Sequence, residues 1–182
     1  MTLLAKSKPA QTLYEHTVEV IDQAQALLNG MPLSNEDRAG LAELLWIAAA
    51  AHDIGKAASG FQAMLRNEAV DWKHRRHETL STAFACRLPG VTVETLFAIL
   101  THHRQIPWDF QDKGELVLHE FLPLGWNEMV GEIQQNAESA LSVWNEVCLA
   151  YNRPNLALSR FPELARTLGI AEEWLVRLLQ LH

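Results

Sequence analysis

The sequence has little cysteine, little positive charge and no long apolar run. Its two cysteines, Cys86 and Cys148, stand far apart and in no CxxC pattern. Both read as free thiols on helices, which points to a reducing compartment. The longest apolar run, residues 44–51, is too short to span a bilayer. The opening MTLLAKSKPAQ has too little apolar length for a signal peptide. The expectation is a soluble, cytoplasmic protein with no membrane partner. The net charge of −7 argues against a generic nucleic-acid surface, which is usually basic. A bound divalent metal, however, can reverse the sign of a local field. Aromatic residues make up only 8%, yet six of them are Trp, so several are expected to pack the core or line a cleft.

What is present is helical periodicity. At 182 residues and 48% apolar content the chain can bury one core of ordinary domain size. Leu13, Thr17, Val20, Ile21, Ala24 and Leu28 recur at helical spacing, with Gly30 as a stop. Ser34 with Asp37 three residues on marks the next helix start, and that helix is expected to run to about Ile54. Its second half, LLWIAAAA, is apolar on every face, as a central buried helix requires, and Gly55 is placed to end it. Further helices are expected around residues 60–66, 77–88, 92–103 and, as one long element, 128–151. Pro107, Pro154 and Pro162 interrupt the chain, and two short helices finish it. Residues 105–126 give no clear pattern. No run alternates with period two, so the fold class is all-α with strand content near zero. The last helix, AEEWLVRLLQLH, ends without a cap or polar tail, so the chain is expected to be a domain, residues 1–182, cut from a longer protein.

Eight histidines are present, and five fall in a suggestive order: His16, His52, His77, His102 and His103. Neutral imidazole is the commonest protein ligand for divalent transition metals. Asp53 is the strongest local signal. It follows eight apolar residues and His52 on a helix that should be buried, where a carboxylate is costly unless paired or metal-bound. Helix capping does not explain it, because acids are disfavoured at a helix C-terminus. A buried ion pair with Lys56 is the plain alternative. His102 and His103 could equally be helix-end residues favoured by the dipole. His16 alone reads as a satisfied core residue, His77 as an ordinary helix start, and the KHRRHE stretch holding His74 as a solvated loop. His119 and His182 have no supporting context. The combination, all at helix ends or beside buried faces, favours a metal site.

At HDIGKAASGFQ (52–62) the chain resembles the HD superfamily of phosphohydrolases, and more closely the HD nuclease domain of the CRISPR-associated helicase-nuclease of type I systems. The resemblance is carried by LLAKS near the start, LYEHT with His16, HDIGK with His52, Asp53 and Lys56, FQ close behind, RHE with His77, the small-residue helix LSTAFA, and ILTHH with His102 and His103. It implies a compact HD-type helical bundle with a metal site among helix ends. By matching positions, His16, His52 and Asp53 would hold one divalent ion. Asp53 would bridge to a second ion held by His77, His102 and His103. Lys56 would contact the scissile phosphate. One or two of Mn, Co, Ni, Fe, Zn or Mg are the implied cofactors. The implied substrate is single-stranded DNA, fed by a helicase domain or subunit recruited by an RNA-guided surveillance complex. The superfamily pattern ends with a further Asp on a late helix. This chain has no Asp after Asp112, and Asp109 and Asp112 come too soon after ILTHH. The final helix resembles the stretch that leads into that Asp.

Asp53 and Lys56 are therefore the expected catalytic residues. Lys73, Arg76 and Arg104 are the expected nucleic-acid contacts, within a basic set that also includes Arg66, Arg75 and Lys113. Trp72 and Trp108 could stack bases or simply pack. Two other functions compete: an HD phosphohydrolase acting on nucleotides or other small phosphates, and a catalytically degenerate HD docking module.

Overall fold

The computed structural model describes residues 2–70, 72, 75–103 and 125–164. Among these, the chain is a helical bundle preceded by one small hairpin. Strands β1 (Leu4–Ser7) and β2 (Ala10–Thr12) pair antiparallel with an irregularity between Leu4 and Lys6. This hairpin is the one strand pairing among the described residues, in keeping with an all-α fold of near-zero strand content. The strands have four and three residues, too few for a period-two pattern to register.

β2 runs straight into α1 (Leu13–Gly30). Thr12 starts that helix with a reciprocal cap. Its hydroxyl accepts the Glu15 amide at 3.1 Å, and the Glu15 carboxylate accepts the Thr12 amide at 2.9 Å. α2 (Asn35–Ala51) begins at Ser34, whose hydroxyl accepts the Asp37 amide. Trp46, Ile47, Ala49, Ala50 and Ala51 are buried, as the apolar run required. α2 ends at Ala51, three residues before Ile54. The turn at His52–Asp53 then gives way to a 3-10 turn over Ile54–Ala57 and to α3 (Ser59–Leu65).

Gly55 does not end a helix through left-handed backbone. A side-chain carbon there would lie 2.1 Å from the backbone oxygen of His77. The glycine is needed because the 3-10 turn presses directly against α4 (His77–Ala85). Its own amide donates to the Ser81 hydroxyl at 2.9 Å. Every residue of α4 is buried, which explains the small side chains of LSTAFA. α5 (Val93–Thr101) packs beside α4 and α2.

The expected long helix over 128–151 is two helices, α6 (Trp126–Gln135) and α7 (Ala137–Ala150). Asn136 separates them with non-helical backbone, and its side-chain amide donates to the Ala57 carbonyl at 2.9 Å. Asparagine competes for backbone groups and so favours such breaks. The core gathers Trp144, Phe84, Ile47, Leu80, Ile99 and Ile133. Trp144 packs edge-on against both Trp46 and Phe84. No helix among the described residues is long and apolar enough to cross a membrane. Both cysteines are free thiols.

Candidate metal centre

Asp53 sits where α2 turns into the 3-10 segment, and it is 1% exposed. Four imidazoles point their Nε2 atoms at its carboxylate. His16 from α1 lies 3.1 Å and His52 lies 3.2 Å from Oδ2. His77 from the start of α4 lies 2.9 Å, and His102 from the end of α5 lies 3.6 Å, from Oδ1. His103 joins through ring contacts with His77 and His102. Two donor groups result, each able to bring its ligand atoms within 4.8 Å of one another: His16, His52 and Asp53, and Asp53, His77, His102 and His103. Asp53 is common to both.

The orientation of the rings is informative. Nδ1 of His52 lies 2.7 Å from the carbonyl of Ala49, and Nδ1 of His102 lies 2.6 Å from that of Ile99. Each Nδ1–H donates to its own helix three residues back, which leaves a lone pair on Nε2. Lone pairs on imidazole nitrogens thus face lone pairs on a carboxylate. Neither Asp53 oxygen, nor Nε2 of His77 or His102, has a partner in hydrogen-bond geometry, although all are buried. Buried acceptors that confront one another in this way are satisfied by a cation between them. The donor set, neutral imidazole with one carboxylate, suits divalent first-row metals. The residues present therefore fit a metal centre.

Electrostatics run the same way. Burial opposes ionisation of Asp53. Protons presented by His102, His16, His52 and His77 would outweigh it and hold the carboxyl far below the usual carboxylate range, a part that a cation takes where their Nε2 atoms are bare. Burial pushes the His77 imidazole down, although Asp53 and Glu78 pull it up. Burial, with the neighbouring charges of His102 and His77, pushes His103 down to about 4. Both imidazoles stay neutral near pH 7, the state in which they can coordinate.

The plain alternative for Asp53 is also visible. The Lys56 ammonium lies 2.7 Å from Oδ2 and 5.9 Å from the Phe61 ring centroid. Asp53 therefore has both an ammonium and a ring of imidazoles around it. Lys56 is held from the other side by the hairpin, since its Nζ is 3.4 Å from the Ala5 carbonyl.

Among the expected nucleic-acid contacts, Lys73 and Arg104 lie outside the described residues, as do His74, Trp108, Asp109, Asp112, Lys113, His119 and His182. Arg76 is paired with Glu78 inside the fold. Arg75 is bound to Glu132 at 2.6 Å, and Arg66 donates to the Thr2 carbonyl and to Gln62. Trp72 packs rather than presenting a stacking face. It is buried, its ring meets Phe61 edge-on, and its indole N–H donates to Glu132 at 2.7 Å.

Three supporting residues had no separate signal. Glu132 on α6 receives Trp72, Arg75 and the Gly60 amide, joining α3, the segment before His77 and α6. Gln62 is 1% exposed and treats β1 as a strand partner, accepting from the Leu4 amide and donating to the Leu4 and Lys56 carbonyls. The FQ pair marked this position without giving its role. Glu78 is buried beside His77. Burial opposes its ionisation, yet His77, its own amide and Arg76 hold it below the usual range.

The described geometry agrees with comparison to known families. The family model described as "Cas3, HD domain" matches residues 4–178. No match was found among curated proteins or among solved structures. With nearly the whole chain covered and the His-Asp cluster assembled at its centre, the protein belongs to the Cas3 HD domain family of CRISPR-associated nuclease domains.

Proposed function

We propose that this domain is a metal-dependent phosphodiesterase that degrades single-stranded DNA in type I CRISPR antiviral defence. The observation that carries the reading is the buried Asp53 carboxylate, faced by Nε2 atoms from four helix-borne histidines and left without a hydrogen-bonded partner. His16, His52 and Asp53 would hold one divalent ion, and Asp53, His77, His102 and His103 a second. A divalent metal there supplies a bound water of lowered pKa and positive charge for phosphate oxygens.

The chain's own residues do the rest. Asp53 is the shared anchor, because a carboxylate offers two oxygens to two donor groups. The backbone carbonyls of Ala49 and Ile99 fix the tautomers of His52 and His102. Lys56 would bring a positive charge from the edge of the carboxylate to a phosphate oxygen. Lys73, Arg76 and Arg104 would guide the backbone of the strand. Overall acidity implies weak affinity of the domain alone for DNA, so a helicase domain or subunit, recruited by an RNA-guided surveillance complex, would deliver the strand.

The test is cleavage of labelled single-stranded DNA by metal-stripped protein after adding Mn, Co, Ni, Zn, Fe or Mg in turn, beside Asp53→Ala. Metal-dependent cutting that vanishes in the variant supports the reading. One observation favours a second reading, a metal-free docking module: the Lys56–Asp53 contact is the ion pair such a domain would use. Absence of any metal binding by calorimetry would select it. Hydrolysis of nucleotides without cutting of DNA would instead select a small-phosphate hydrolase.

A further inference from the structure

Three of the imidazoles aimed at Asp53 differ in what holds their outer nitrogen. His52 and His102 close helices, so a carbonyl three residues back is available to accept Nδ1–H. His77 opens α4 and has no helical turn behind it. Its Nδ1 instead faces the Oε2 of Glu78 at 3.4 Å. Glu78 is 4% exposed on a helix whose every residue is buried. A carboxylate in that position is costly unless both oxygens are used. Arg76 engages Oε1, and the His77 ring is what faces the other oxygen.

We infer that Glu78 is the positioning residue for His77: its carboxylate accepts the Nδ1 proton and so fixes the tautomer whose Nε2 faces Asp53. The chain Arg76–Glu78–His77–Asp53 then runs from the outer face of the site to its centre. The inference rests on the metal-centre reading above and adds an order of strength to it. A carboxylate partner raises the basicity of a ligating imidazole. His77 is the one inward histidine given such a partner among the described residues, whereas Nδ1 of His16 has none. The group of Asp53, His77, His102 and His103 should therefore bind its ion more tightly than His16, His52 and Asp53.

The test is calorimetric titration of the metal-stripped full chain with Mn²⁺, using wild type, Glu78→Gln, Glu78→Leu and His16→Gln. Histidine-labelled NMR of the Zn²⁺-loaded proteins is read alongside. The expected result is a tighter event weakened about 10–100-fold in Glu78→Leu and partly recovered in Glu78→Gln, whose amide oxygen still accepts. His16→Gln should weaken only the looser event. In the loaded wild type the His77 Nδ1 proton should be hydrogen-bonded and slow to exchange, and it should lose that protection in Glu78→Leu. Should Glu78→Leu fail to fold, the shape-conserving Glu78→Gln decides alone through a smaller loss of the same tighter event. Wild-type affinity and an unchanged His77 Nδ1 proton signal in the Glu78 variants would overturn the inference while leaving the metal centre standing. No binding by wild type would overturn the metal centre and this inference with it.

Discussion

The Lys56 ammonium lies 2.7 Å from Oδ2 of Asp53, three residues earlier in the chain, while both side chains are nearly removed from solvent. The lysine is close enough to screen the carboxylate and long enough to swing toward a bound phosphate. Lys56→Met should therefore lower DNA cleavage by about 10²-fold, the usual loss when one charge-stabilising donor is removed. Its affinity for Mn²⁺ should be unchanged or tighter, because a competing cation has gone. Measuring both in one preparation decides: parallel loss of metal affinity would make Lys56 part of the scaffold instead.

Gly55 offers a test of how tightly the site is assembled. A methyl group there meets the backbone oxygen of His77 at 2.1 Å and the Leu80 side chain at 2.9 Å. Backbone cannot yield as a flexible side chain can. Gly55→Ala should cost about 1–3 kcal/mol or more and push α4, with His77, away from Asp53. Thermal unfolding and Mn²⁺ affinity should fall together. Unchanged values in both would show that the turn is free to shift.

Glu132 joins α6 to the segment that enters the site. Removing its carboxylate leaves the Trp72 indole, the Arg75 guanidinium and the Gly60 amide without their acceptor. Glu132→Ala should destabilise by about 1–3 kcal/mol, the range for stranding partly buried donors. Chemical denaturation measures this directly. A variant as stable as wild type would show that water replaces the carboxylate.

The cysteines should be unreactive in the native fold. Burial pushes the Cys86 thiol up to about 12 and the Cys148 thiol up to about 11. Since the thiolate is the nucleophile, a raised value means less of it at any given pH. At pH 8 iodoacetamide should label both residues about 10²-fold or more slowly than in urea, where the ordinary value near 8.5 returns. Rapid native labelling would place these helices in frequent local opening.

The helices were legible because their apolar periodicity and caps are local properties. Thr12, Ser34 and the run before Asp53 carry their meaning within a few residues. Asp53 was legible as an anomaly, a charge where the pattern demanded an apolar side chain. The convergence of His16, His77 and His102 on it was not in any one segment and came from the ordered resemblance. What escaped was non-local. Nothing near Asn136 announces that its amide reaches Ala57 and splits a helix. Nothing near Trp72 separates packing from stacking until Glu132 and Phe61 are beside it. Gly55 was identified as special for the wrong cause, because crowding by His77 is invisible from its own neighbours.

The groups around Asp53 come from α1, the α2 turn, α4 and α5, between residues 16 and 103. No short segment of the unfolded chain holds them together. A cation captured there would be recognised by the native state alone, so its concentration would act as a lever on the folding equilibrium. At a hundredfold excess over its dissociation constant, such an ion would add about 2.7 kcal/mol to the native state. The midpoint of thermal unfolding would thereby serve as a gauge of occupancy, independent of any substrate.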